Sequence, residues 1–455
     1  MSEVNKQATR NTDVLQQLFD SSNPKAFAKL FKTGQEEWGE PREFIRHVAA
    51  EMPVKLYEKY YDDLVPHGFF GLSCAASTLS LFPENRLWWP CLQQAWFIAN
   101  SRKRRPWNGV SEETGGDQPL EDRWNQFEEA ASNRQFETCY TLVRGFLGNS
   151  EERDCFRTRS LSRGLNDTAH GGLKFIQLAQ AWEMAELLNW EHSELILFPA
   201  LHFLILGPRQ DRLAAVAVQA EPFEISQEGD KAMVEEELEI FQGAVLYSDD
   251  PSDALDALSR LASRGNTFDS IHEALLLTAV QALNNAQIGR WLLPVRALLY
   301  TDACRDWAGR AGTRERGQGL AVAVLLIQQA SRKSREAGQA RRVVDMAESV
   351  CPTNPFETLR SLISHSDPYA SANTAQAILG MGEEAHLELV QTLVTLAAKN
   401  DARVGQGYDL LLVRACAGAH QRSQSVLKDR FLVGCAFFLG YILKNYELFV
   451  AYGVK

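Results

Sequence analysis

The sequence predicts an all-α protein made of repeated helical modules packed around a central, histidine-lined pocket. Three observations predict it. Apolar residues recur at three- and four-residue steps along most of the chain, the spacing of one helix face. Alternating strand patterns are scarce, and the partly β-branched stretch 214–225 is short and ambiguous. An element opening with a histidine recurs, with His67, His170 and His272 falling 103 and 102 residues apart.

Taken in order, the segments 27–31, 122–146, 231–246 and 253–262 carry the helical face, and 106–120, 308–318 and 351–355 read as loops rich in Gly, Arg, Pro or acidic residues. The repeat has two parts. Pro66-His67-Gly68, Ala169-His170-Gly171 and Ile271-His272-Glu273 each open a nearly continuous apolar helix. Trp88-Trp89-Pro90, Leu197-Phe198-Pro199 and Leu292-Leu293-Pro294 then head a second helix, where a first-turn proline costs no hydrogen bond. The histidine-to-proline distances are 23, 29 and 22 residues. A degenerate fourth unit starts either at Gly407-Tyr408-Asp409 or at His386. A period this long exceeds the usual solenoid unit. The expectation is one all-helical body with modules near 1–120, 121–230, 231–350 and 351–455.

With 455 residues, 45% apolar and 23% charged, the chain can bury a large core. Its formal charge of −11 argues against nucleic acid, which would call for a basic stripe. The one dense basic run, Arg102 to Arg105, reads as a solvated helix end. Eight cysteines without a C-x-x-C pair exclude a zinc knuckle and suit a reducing compartment. The polar stretch 1–13 lacks a signal-peptide core, and the longest apolar run, 431–443, is too short for a bilayer. A cytoplasmic protein with no membrane contact is expected.

A histidine at the mouth of a buried helix needs a partner for each ring nitrogen. Three at equivalent places of a repeat would converge if the modules share an axis, and neutral imidazoles so gathered suit iron or zinc. The glycines after His67 and His170 let a backbone or substrate approach. Lys174 and Gln177 are the polar members of an otherwise small or apolar face, serving either a pocket or a solvent stripe. No H-E-x-x-H, P-loop, nucleophile elbow or dinucleotide fingerprint is present.

At these positions the chain resembles the questin oxidase-like proteins, helical enzymes of oxidative ring cleavage in aromatic polyketides. That family's His-Gly, His-Gly-Leu-Ile, Leu/Ile-His and Asp-Glu-His elements look like Pro66-His67-Gly68, Ala169-His170-Gly171, Ile271-His272-Glu273 and Gln406-Gly407-Tyr408, the last followed by Arg414-Ala415-Cys416 and His420. The resemblance implies a non-haem iron oxygenase of secondary metabolism, with a small aromatic substrate and NADPH as a candidate cosubstrate. It implies metal ligation by His67, His170 and His272. Tyr408 stands where the fourth histidine belongs, Leu411 where a modified lysine belongs, and Leu275 where a threonine belongs. Either the iron site is completed by His386, His192, Tyr408 or Glu273, or the metal is lost and a non-catalytic binding or scaffold protein remains.

Overall fold

Short polar side chains satisfy the first free amides of several helices. Asn23 accepts from Lys25 and Ala26, Asn149 from Glu152, Asp250 from Ser252, Thr267 from Ser270 and Asp367 from Ala370. Proline follows in the first turn after Asn23, Asp250 and Asp367. The structure, a computed structural model, describes residues 13–55, 67–100, 118–219, 225, 234–287, 289–336, 351–442 and 446–453. The basic run Arg102 to Arg105 and most of the 106–120 loop lie outside them.

After helical residues 13–20 the α-helices run as α1 (Pro24–Trp38), α2 (Pro41–Lys55), α3 (His67–Thr78), α4 (Trp89–Ala99), α5 (Leu120–Ser132), α6 (Phe136–Phe146), α7 (Ser150–Leu165), α8 (Leu173–Leu187) and α9 (Ser193–Leu206). They continue as α10 (Arg212–Gln219), α11 (Glu235–Tyr247), α12 (Pro251–Ser263), α13 (Phe268–Asn284), α14 (Leu292–Ala308), α15 (Thr313–Glu336), α16 (Pro355–Ser364) and α17 (Pro368–Leu379). The last five are α18 (Glu383–Ala398), α19 (Ala402–Gly405), α20 (Tyr408–Arg422), α21 (Asp429–Leu439) and α22 (Tyr446–Tyr452). No β-strand occurs among the described residues, and the ambiguous 214–225 stretch starts as α10. None of their helices is long and apolar enough to cross a membrane.

Four helical hairpins emerge from the repeat: α3 packs on α4, α8 on α9, α13 on α14 and α20 on α21. Four of their helices close a ring, in which α3 touches α8, α8 touches α14, α14 touches α20 and α20 returns to α3. Hairpins one, two and four place their first helix in the ring, whereas the third places its second. Its first helix, α13, packs instead on α14, α15 and α21. The fourth unit therefore begins at Gly407-Tyr408, and His386 lies near the start of α18.

Apolar burial supplies the driving force. The core runs from Leu15 to Phe449, and each fully buried Leu or Phe contributes about 1.5–3 kcal/mol. Glycine sets the closest approach in the ring. A Cβ on Gly407 would lie 2.7 Å from the Gly71 Cα, so α3 and α20 meet backbone to backbone.

Several sequence expectations need correction. The 122–146 helix is two helices broken at 133–135, where Arg134 takes φ 58°. Of the 308–318 loop only 309–312 is non-helical, because α15 begins at Thr313. Pro199 does not head its helix. It sits inside α9, which starts six residues earlier, and this accounts for the longer histidine-to-proline distance of the second unit.

Leu276 on α13 is 3% exposed. An unpaired charge there costs several kcal/mol, comparable to the whole stability margin. Leu276→Asp is expected to lose cooperative thermal unfolding; a soluble variant with a wild-type midpoint contradicts the core placement of α13.

Candidate functional site

The second repeat unit is fixed by a buried ion pair. Lys174 Nζ, on a side chain 1% exposed, donates to Asp167 Oδ2 at 2.6 Å and to the Leu204 and Gly207 carbonyls at 3.2 Å each. Asp167 Oδ1 accepts from the amides of Ala169 and Gln210, and the Thr168 amide donates to the Gln210 carbonyl. Every strong donor of Lys174 is spent within the protein, so Lys174 is a clasp rather than a pocket wall. Burial pulls its ammonium below the usual range, with Asp167 opposing.

The clasp holds a turn of left-handed backbone. His170, Gly171 and Gly172 take φ of 53°, 73° and 78°. For a histidine that conformation costs about 1–2 kcal/mol. Gly172 is obligatory in a second sense, since a Cβ there would lie 2.3 Å from the Tyr300 ring. The glycines after the histidines thus admit neighbouring helices, Gly171 facing Leu293 and Arg296 on α14 and Gly172 facing Tyr300.

Arg296 enters the centre of the ring from α14. It is 7% exposed. Its Nη1 donates to the His170 carbonyl at 2.9 Å and its Nε to the Tyr408 hydroxyl at 3.2 Å. The guanidinium lies over the Tyr408 ring, 5.3 Å from its centroid, and Phe70 packs on the same ring at 5.1 Å. Phe203 borders His170, with ring centroids 6.4 Å apart. Among the described residues no carboxylate lies within ion-pair distance of Arg296. Burial, then Arg296, then His170 pull the His67 pKa down to about 3, so His67 is neutral at physiological pH. Burial raises the Tyr408 phenol, with Arg296 opposing.

The structure thus joins His67, His170 and Tyr408 around Arg296. His272 belongs to another neighbourhood: its Nε2 donates to the Thr301 carbonyl at 2.8 Å and its ring stacks on Phe268. The charges acting on it are Asp302, Arg305 and Arg422. The reason is the exchange of helix order in the third hairpin, which puts α14 in the ring and α13 outside it. Glu273, one residue on, bonds Ser423. His386 donates to the Leu379 carbonyl and packs edge-on against His420, lining an open cleft of about 880 Å³ with Asp302, Arg305 and Arg422. The arginines of that cleft are paired, Arg422 with Asp302, Arg305 with Asp269 and Arg414 with Glu183, and His420 meets Asp429. His192 is a surface residue beside Glu191. Gln177 is buried on α8, and neither its amide oxygen nor its nitrogen has a hydrogen-bond partner among the described residues.

Arg296 is the residue that sequence reasoning missed. Its signal was present, a single charge inside the apolar run Leu292-Leu293-Pro294-Val295-Arg296-Ala297-Leu298-Leu299-Tyr300. As a three-histidine iron centre the residues do not fit. His272 is committed elsewhere, Arg296 puts a positive charge where a cation would bind, and no three His, Cys, Asp or Glu side chains among the described residues could hold a metal.

The low pKa of His67 makes stability depend on acidity. Its folded value lies below the ordinary 6.5, so in the window from 6.5 to about 3 the unfolded chain binds the extra proton. The contribution is complete above 6.5 and declines as pH falls. Between about pH 7 and pH 5 it amounts to roughly 2 kcal/mol, and His67→Gln is expected to remove that part of the slope in denaturant titrations. An unchanged slope in the variant contradicts a neutral, buried His67.

In comparison with known proteins, no family model, no curated protein and no solved structure matches this chain.

Proposed function

We propose that this chain binds an acidic aromatic small molecule in its ionised form at the Arg296 site. The observation that carries the reading is a guanidinium 7% exposed with no carboxylate partner among the described residues. A buried charge is costly unless paired, and among the described residues Arg296 meets a carbonyl and a phenol alone. A carboxylate or phenolate ligand would complete it. Phe70, Phe203 and Tyr408 supply the aromatic surroundings such a ligand prefers. The guanidinium would stabilise the carboxylate or phenolate form of the ligand, and His67, kept neutral beside it, would have no proton to return. Aromatic polyketides, the substrate class implied by the questin oxidase-like resemblance, are acidic phenols of this kind.

The oxygenase itself is the second reading, favoured by the grouping of neutral His67 with His170. It would need ligands beyond those two. Elemental analysis after iron-replete expression separates the readings: about one iron per chain, lost in His170→Ala, supports the oxygenase, and no bound metal supports the anion site alone.

Alizarin, a dihydroxyanthraquinone whose colour reports ionisation, tests the first reading. Bound dye is expected to show the phenolate band at a pH where free dye is neutral. Arg296→Met should abolish that shift and weaken binding by about tenfold or more, the loss of one charge-assisted hydrogen bond. Equal affinity and colour in the variant contradict the proposal.

A further inference from the structure

A second concentration of positive charge lies away from the ring, in a cavity of about 460 Å³ between α1, α4, α16, α18 and α22. Lys32, Arg86, Arg360 and Lys399 line it, together with Trp89 and Tyr452. No carboxylate lines it among the described residues. Among the described residues the one acid within ion-pair distance of any of the four is Glu388, a marginal 4.0 Å from Arg360 with both side chains exposed. In a chain of net charge −11, four cations from four separate segments are gathered, and among the described residues the marginal Arg360–Glu388 pair is their one counter-charge contact.

Aromatic rings support three of the four cations. Arg86 and Lys399 lie over the Trp89 ring at 5.1 Å each, and Lys32 over the Tyr452 ring at 5.0 Å. Arg86 Nη1 also donates to Thr395 Oγ1 at 3.4 Å, and Gln35 donates to the Tyr452 hydroxyl at 2.7 Å. Arg86 and Lys399 are thus partly buried on an aromatic support, while Lys32 and Arg360 stand at the exposed rim of the cavity. The cluster is also frustrated. Burial and the neighbouring Arg86 and Arg360 lower the pKa of Lys399, and burial and Arg360 lower that of Arg86. Among the described residues no negative group offsets either.

Like charges this close repel one another unless an anion sits between them. A single carboxylate would leave most of the charge unmatched. Two arginine forks and two ammonium groups suit the several oxygens of a phosphate or diphosphate. The volume falls in the range of small-ligand pockets, roughly 300–1,000 Å³, larger than a bare phosphate requires. The cleft beside His386 makes the contrast: its arginines have acidic partners.

We infer that the Lys32–Arg86–Arg360–Lys399 cavity is a binding site for a phosphate-bearing ligand, distinct from the Arg296 site. The shared chemistry is a phosphate or diphosphate group, carried by a soluble molecule or by a lipid headgroup.

Calorimetric titration of the full chain with sodium pyrophosphate in low-salt buffer tests this. Saturable binding at one site per chain is expected, with sodium sulfate a weaker competitor. The paired substitution Arg360→Gln and Lys399→Gln should weaken binding by about tenfold or more. Lys399→Gln alone should leave the thermal midpoint of the ligand-free chain unchanged or higher, because it relieves repulsion, and Lys399→Arg should restore binding. Cosedimentation with vesicles containing phosphatidic acid separates the two sources. Capture that pyrophosphate reverses identifies a headgroup, and pyrophosphate binding without capture identifies a soluble ligand. Absence of saturable pyrophosphate binding, or equal binding by the folded double variant, overturns the inference.

Discussion

The centre of this protein depends on Arg296. Its guanidinium joins the left-handed turn that carries His170 to the first residue of α20, through one carbonyl and one phenol. Three of the four ring helices thereby meet at one side chain, and the fourth, α3, presents His67 to the same charge. Nothing acidic among the described residues offsets that charge. The arrangement is maintained from behind by the Asp167–Lys174 pair, which ties the turn to the end of α9. Removing one member of such a buried pair typically costs about 3–5 kcal/mol, because the other is left charged and unpaired. The strain of a left-handed histidine persists because clasp and guanidinium over-determine the turn.

Much of the fold was legible in the sequence, because helical periodicity and repeat spacing are local signals. The four hairpins and the helix heads at Pro90 and Pro294 follow from such patterns. The histidine cluster was legible only in part. Equivalence in a repeat predicts convergence only if every unit packs the same way round, and the third does not. That exchange is a tertiary choice, set by α13 finding its partners in α15 and α21. No spacing along the chain encodes it. The same exchange brings Arg296 into the position that a third histidine would have held.

The role of the glycines shifts for a related reason. In sequence, Gly68 and Gly171 look like room for a ligand. In the structure, Gly71 admits the Gln94 side chain and the backbone of Gly407, and Gly171 admits α14. Room in a sequence is filled by whichever element packs there. A charge inside an apolar helix is the more reliable signal, because its desolvation must be met by something. Arg296 stands out on that ground, and the Lys399 cluster stands out instead as a gathering of cations in an acidic chain.

The direct test of this account is the protonation of His67, followed by nitrogen chemical shifts in chain labelled at histidine. The account predicts a neutral imidazole down to about pH 5, consistent with a pKa near 3. It also predicts that the pKa rises when Arg296→Met removes the neighbouring charge. A His67 that titrates near 6.5 in the unaltered chain, or one indifferent to Arg296→Met, would contradict it.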